Sequence, residues 1–208
     1  MIKAVLFDMD GVLVDAKPWH YESLNMALEK CGFSPISLDE HLSLYDGLPT
    51  KKKIEKLALK DPKIMASYKD IESLKQQFTI EVARKNLKPQ RYLTETVLKL
   101  KQEGYKMAVC SNSIANTVNL FMELAGIKQY FDFLLSNQDV KNPKPHPEIY
   151  STAIARFNLS PKQCLILEDN IHGLEAARAS GANVMQISDV LEVNYENIVK
   201  TISKINKE

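Results

Sequence analysis

The stretch Ala4–Val12, AVLFDMDGV, decides the fold of this chain. Four apolar residues run directly into two carboxylates, Asp8 and Asp10, and then into a glycine. A short continuous apolar run is typical of a parallel strand that is covered on both faces. Two carboxylates that point to the same place repel each other unless a cation or a proton lies between them. The stretch therefore predicts a buried strand that ends in a charged site.

Similar apolar runs recur along the rest of the chain and are separated by segments with helical periodicity. Strands that alternate with helices indicate an α/β protein with a doubly wound parallel sheet, a Rossmann-like core. The five predicted strands are KAVLFD (3–8), KMAVCS (106–111), FDFLLS (131–136), QCLILED (163–169) and ANVMQI (182–187).

The segment between the first and second runs is too long for an ordinary crossover. A crossover between parallel strands needs about a dozen residues, whereas this segment has no strand pattern and several helical stripes. We predict a helical cap domain over residues 16–88, inserted into a catalytic core formed by residues 1–15 and 89–208. The three lysines at 51–53 are interpreted as a solvated helix face.

Composition limits the possible classes of function. The chain has 208 residues, of which 45% are hydrophobic and 25% are charged, and a net charge of +1. Such a balanced charge favours neither nucleic acid nor a membrane surface as partner, and no apolar run approaches the roughly 20 residues of a membrane span. Three widely spaced cysteines predict reduced thiols in a cytoplasmic protein, and a monomer is expected.

Polar residues follow the strands at the edge where ligands bind in an open parallel sheet. Ser111 and Asn112 end the second run, Glu168 and Asp169 end the fourth, and Lys144 lies in a proline-rich loop between them. We expect these side chains to converge with Asp8 and Asp10.

An oxygen-rich site of this kind suits Mg²⁺, with Asp8 and Asp169 as the first candidates for ligands. A metal there would relieve the repulsion between the acids and lower the charge of a phosphate, so that an aspartate can attack phosphorus. Lys144 supplies a positive charge for the phosphate, and Ser111 with Asn112 supplies hydrogen-bond donors. Asp10 can protonate the leaving oxygen and then activate water.

Four motifs in this order resemble the signature motifs of the haloacid dehalogenase superfamily. The similarity is to its phosphatase and β-phosphoglucomutase-like branch, which carries a helical cap after the first motif, and it spans essentially the whole chain. The motifs are DMDGV (8–12), SNS (111–113), KPHP (144–147) and LEDNIHGLEAARASGA (167–182).

The resemblance implies that Asp8 is the nucleophile and Asp10 the general acid and base, and that Ser111 and Lys144 bind phosphate. It also implies phosphate ester chemistry, since the superfamily's dehalogenases lack an acid at the position of Asp10. One departure is Asn170, where many relatives have serine, from which we expect a change in the hydrogen bonds around the metal site.

The metal that the resemblance implies is Mg²⁺. Its ligands would be the carboxylates of Asp8 and Asp169 and the main-chain carbonyl of Asp10, with Glu168 as a further candidate.

The sequence is compatible with three functions. The first is a phosphatase that acts on a small phosphorylated metabolite. The second is a β-phosphoglucomutase-like phosphomutase, which in this family carries an arginine in the cap loop; here the loop reads YDGLPTKKKIEKL (45–57) and has none. The third is a non-catalytic binding module, against which the intact acids argue.

Two roles are open for Ser113, which could contact substrate or begin a helix. The identity of the substrate, and of the cap residues that select it, stays open at the level of the sequence.

Overall fold

The computed structural model describes residues 1–207 and has a five-stranded parallel sheet as its centre, as predicted. The strand order is β3-β2-β1-β4-β5, so the strand that begins the chain lies in the middle. Every residue of β1 and of β4 is buried, which explains why β1 is apolar throughout and β4 is apolar up to its last residue, Glu168. The strands are β1 (Ala4–Phe7), β2 (Lys106–Cys110), β3 (Phe133–Leu135), β4 (Cys164–Glu168) and β5 (Asn183–Gln186).

The first structural unit consists of Met1–Asp15 and the chain from Leu87 onward. Its helices separate the strands, and one hydrophobic cluster joins β1, β2 and β4 to the helices that contain Tyr150 and Ala177. These helices are α6 (Arg91–Gln102), α7 (Ala115–Leu124), α8 (Glu148–Arg156), α9 (Ile171–Ala179) and α10 (Tyr195–Ile205).

The second unit, Ala16–Asn86, contains helices and none of the strands of the sheet. Its boundary at Asn86 lies two residues before the end of the predicted cap at residue 88. Leu24, Leu28, Ile54 and Ile71 are fully buried in a hydrophobic cluster of this unit. Its helices are α1 (Lys17–Lys30), α2 (Leu38–Glu40), α3 (Thr50–Ala58), α4 (Lys63–Ala66) and α5 (Tyr68–Asn86), with a π-helical turn at His41–Tyr45.

The lysine run in α3 corrects one sequence-based interpretation. Lys51 and Lys52 are exposed, as expected of a solvated face, but Lys53 is only 4% exposed. A helix turns by about 100° per residue, so three successive side chains cannot all face solvent when one side of the helix packs against its neighbours. None of the helices within residues 1–207 combines the length and the hydropathy of a membrane-spanning segment.

Candidate active site

The register of the sheet brings the ends of three strands to one edge. Phe7 of β1 pairs with Val109 of β2 on one side and with Leu167 of β4 on the other. The backbone amide of Asp8 then donates to the carbonyl of Leu167 over 3.0 Å. Consequently Asp8 lies beside Glu168, the last residue of β4, at the edge where the sequence predicted a site.

Lys144 contributes a buried ammonium group to this edge. Its Nζ lies 2.6 Å from Asp8 Oδ1 and also donates to Glu168 Oε1. Burial by itself lowers the pKa of a lysine, but the neighbouring carboxylates of Asp8 and Glu168 raise the pKa of Lys144 above its ordinary value. Lys144 is therefore a fixed positive charge at neutral pH and not an ordinary surface lysine.

Asp8 lies in an excess of negative charge. Its pKa is raised well above the usual value, first by burial and then by repulsion from Glu168, Asp169 and Asp10, while Lys144 acts in the opposite direction. One ammonium thus does not balance the four acids. A divalent cation at this place would favour the ionised form of Asp8.

Asp10 is held by the turn that follows β1. Gly11 has a φ of 89°, a left-handed conformation that favours glycine, and its amide donates to the carbonyl of Val14 over 2.7 Å. Ser113 donates its hydroxyl to Asp10 Oδ2 at 3.0 Å. Helix α7 starts at Ala115, so Ser113 does not begin a helix. It orients a carboxylate of the site.

Asn112 ties the second motif to the third. Its side-chain amide donates to the carbonyl of Lys144 over 3.2 Å, and its side-chain oxygen accepts from the amide of Lys144 over 3.0 Å. The loop that carries Lys144 is thereby fixed next to the end of β2. Ser111, which is buried, accepts from the amide of Ser113 and can still donate its own hydroxyl proton.

Three acids form a group that could hold a metal ion. Asp8, Glu168 and Asp169 each offer an oxygen, and these oxygens all lie within 4.8 Å of one another. An all-oxygen set of carboxylates suits a hard cation such as Mg²⁺. Asn170 caps α9, because its side chain accepts from the amide of His172 at 3.0 Å. Asparagine at this position is thus a normal N-cap.

Tyr150 is a member of the site that the sequence did not indicate. Its hydroxyl donates to Glu168 Oε1 over 2.6 Å, and its ring lies 4.7 Å from the Nζ of Lys144. In the sequence Tyr150 is one more large residue on the buried face of a helix, so its pattern predicts packing only. Cys110 takes no part as a thiolate, because burial raises its pKa to about 12.

A family model for haloacid dehalogenase-like hydrolases matches residues 5–187, which include the first motif, β2, Lys144 and the acids Glu168 and Asp169. The chain belongs to this family. It is an enzyme of the hydrolase class, as the resemblance implied, and its α/β fold is the one predicted.

Two curated relatives are similar over most of their length. A phosphorylated carbohydrates phosphatase from Thermotoga maritima is 29% identical over 187 residues, which cover 86% of this chain and 82% of the relative. Pyrophosphatase PpaX from Bacillus mycoides is 27% identical over 196 residues, covering 92% and 86%. Among solved structures, a β-phosphoglucomutase from Clostridium difficile superposes with a TM-score of 0.83, covers 100% of both chains and is 21% identical. This last likeness concerns the fold.

Proposed function

We propose that the protein is a Mg²⁺-dependent phosphatase that hydrolyses a small phosphorylated metabolite through an aspartyl phosphate on Asp8. The observation that carries the proposal is the ion pair of Lys144 with Asp8 inside a cluster of four acids. The names of the two curated relatives, a phosphatase and a pyrophosphatase, support the same chemistry.

The residues present fit a bound Mg²⁺. Asp8 and Asp169 would hold it with their carboxylates and Asp10 with its main-chain carbonyl, while Glu168 lies in the same group of acids. When bound, the ion would offset the negative charge of the acids and of the phosphate.

Asp8 and Asp10 divide the chemistry between them. Asp8 attacks phosphorus, so that an aspartyl O–P bond forms while the ester O–P bond breaks, and Asp10 gives its proton to the leaving oxygen. Water then attacks the aspartyl phosphate and gives a proton to Asp10, which regenerates Asp8 and releases phosphate. Ser113 keeps the Asp10 carboxylate in place for both proton transfers.

Phosphate is bound by groups that the chain itself holds in place. Lys144 has three N–H donors, of which two go to Asp8 and Glu168, and the third can donate to a phosphate oxygen. Ser111 offers its hydroxyl. Asn112 acts mainly through Lys144, since both groups of its amide bond to the Lys144 main chain.

The test uses purified protein and a panel of aryl phosphates, sugar phosphates, nucleotides and pyrophosphate, with Mg²⁺ or with EDTA. We expect phosphate release that requires Mg²⁺ and is lost in Asp8→Asn. Asp10→Asn should lower the rate by about 10²- to 10⁴-fold, the usual contribution of a general acid and base. Full activity in EDTA, or a wild-type rate in Asp8→Asn, contradicts the proposal.

The same panel distinguishes a phosphomutase. Conversion of β-glucose 1-phosphate to glucose 6-phosphate without release of phosphate would replace the phosphatase by a mutase. We expect phosphate release, because the loop at 45–57 contains lysines and no arginine. Lysine lacks the guanidinium group that would bind a second phosphate through two parallel hydrogen bonds.

A further inference from the structure

Tyr150 is a fully buried tyrosine whose hydroxyl points at an acid of the proposed metal site. It lies in the first turn of α8, and its hydroxyl donates to Glu168 Oε1 over 2.6 Å. A phenol with an ordinary pKa of about 10 is protonated at neutral pH, so Tyr150 acts as a donor to Glu168.

Within the described residues 1–207, the carboxylate of Glu168 receives four hydrogen bonds. Oε1 accepts from Tyr150 and from Lys144, and Oε2 accepts from the backbone amides of Asp169 at 3.1 Å and Asn170 at 3.4 Å. An ionised carboxylate has about four lone-pair sites in all. With four donors directed at it, Glu168 has no lone pair left for a metal ion.

The packing around Glu168 also prevents the side chain from turning. It is fully buried, and a methyl group placed on Gly173 would lie 1.9 Å from its Oε1. Helix α9 thus packs against one side of the Glu168 carboxylate, while Tyr150 and Lys144 donate hydrogen bonds to its Oε1. Among residues 1–207, the side-chain hydrogen bond to Asp8 comes from Lys144, so Asp8 has fewer donors than Glu168.

We propose that Tyr150 is a positioning residue that keeps Glu168 outside the coordination sphere of the metal and directs it to Lys144. The inference rests on the proposed Mg²⁺ site. It assigns the metal to Asp8, Asp169 and the Asp10 carbonyl, and it gives Glu168 the separate task of orienting the ammonium that binds phosphate.

The experiment compares the affinities of the wild type and of Tyr150→Phe for Mg²⁺ and Ca²⁺, measured by titration calorimetry without substrate. Loss of the phenol frees one lone pair of Glu168, which can then become a metal ligand. Ca²⁺ accepts more oxygen ligands than Mg²⁺, so the ratio Kd(Mg²⁺)/Kd(Ca²⁺) should rise by about tenfold, the lower end of the effects seen when groups behind metal ligands are changed. The kcat should fall by a similar factor.

The matched control is Tyr195→Phe, which removes another tyrosine-to-glutamate hydrogen bond, the one to Glu103. It should leave both metal affinities unchanged. An unchanged ratio in Tyr150→Phe, or an equal change in both variants, overturns the inference while the metal site stands. If the wild type does not bind Mg²⁺, the proposed site and this inference both fail.

A second variant covers the case in which Tyr150→Phe does not fold. Glu168→Gln removes the charge of the carboxylate. If Glu168 is not a ligand, the Kd for Mg²⁺ should rise by no more than about 100-fold, because a change behind the ligands costs about 10- to 100-fold. A weakening beyond about 100-fold would make Glu168 a direct ligand and overturn the inference.

Discussion

Lys144 joins the stability of the site to its chemistry. Lys144 is only 4% exposed, and its ammonium bonds to Asp8 and Glu168. An ion pair of this kind contributes little net stability when it is intact, because the charges lose their hydration. Removal of one partner is costly, because the other charges stay buried without compensation.

Lys144→Met is expected to destabilise the protein by about 3–5 kcal/mol, as when one partner of a buried ion pair is removed. It should also abolish most of kcat/KM for phosphate esters. Addition of Mg²⁺ should raise the free energy of unfolding of this variant more than that of the wild type, because the ion would replace the lost positive charge. Urea unfolding with and without Mg²⁺ measures both effects.

The control for this prediction is Lys141→Met. Lys141 lies in the same loop and is exposed, so its loss should change neither stability nor rate. Equal Mg²⁺ responses in Lys144→Met and in the wild type would show that the ion does not bind beside Asp8.

Helix α9 (Ile171–Ala179) determines the space that Glu168 has. At Gly173 the helix approaches the carboxylate so closely that a Cβ would lie 1.9 Å from Oε1 and 2.1 Å from Oε2. Such contacts are far below van der Waals distance, and Glu168 can move away only by breaking hydrogen bonds to its oxygens. A glycine inside a helix usually weakens it; here it makes room for the site.

Gly173→Ala should therefore destabilise the protein although alanine is the better helix former. We expect a loss of about 3 kcal/mol or more, at the upper end of the usual cost of overpacking, and a fall in phosphatase activity, because Glu168 must move away from Lys144. Denaturant unfolding and initial rates test this.

Glu175→Ala serves as the control on the same helix. Glu175 is exposed, and alanine favours helix there as well, so stability should stay the same or rise. Wild-type stability of Gly173→Ala would show that α9 can move away from Glu168 at no cost.

At the scale of the whole molecule, the helical unit Ala16–Asn86 buries several ionisable groups. His41 is fully buried, and among residues 1–207 neither of its ring nitrogens has a hydrogen-bond partner. Burial lowers the pKa of His41 to about 4, with the charges of Lys53, His20 and Lys75 acting in the same direction and Asp46 against them. The folded protein thus contains a neutral imidazole.

This histidine makes stability depend on pH. Unfolded histidine binds a proton below about pH 6.5, whereas folded His41 binds one only near pH 4. Between these values the unfolded state holds more protons, so the free energy of unfolding falls as the pH falls. At about 1.4 kcal/mol per pH unit, the loss by pH 4 is on the order of 3 kcal/mol.

His41→Phe removes this contribution and keeps a planar ring. The difference in unfolding free energy between wild type and variant should therefore change steadily from pH 6.5 to pH 4 and stay constant above pH 7. If the difference in unfolding free energy between wild type and His41→Phe stays constant from pH 6.5 to pH 4, folded His41 takes up its proton in the same pH range as unfolded histidine.

The sequence by itself determined the sheet and the identity of the residues at its edge. Each strand is a short apolar run bounded by polar residues, a local pattern that is readable without contacts. Asp8, Asp10, Lys144 and Asp169 could be named because parallel strands end at a common edge and because their motifs resemble those of a known family.

Only the tertiary structure decided how these residues are held. Ser113 and Asp10 meet across 103 positions of sequence, and the hydroxyl of Tyr150 reaches Glu168 from another element. The third lysine of 51–53 is buried although the run looks solvated. A pattern of apolar and polar residues describes one element at a time, whereas a hydrogen bond or the burial of a charge depends on which elements pack together and in which rotation.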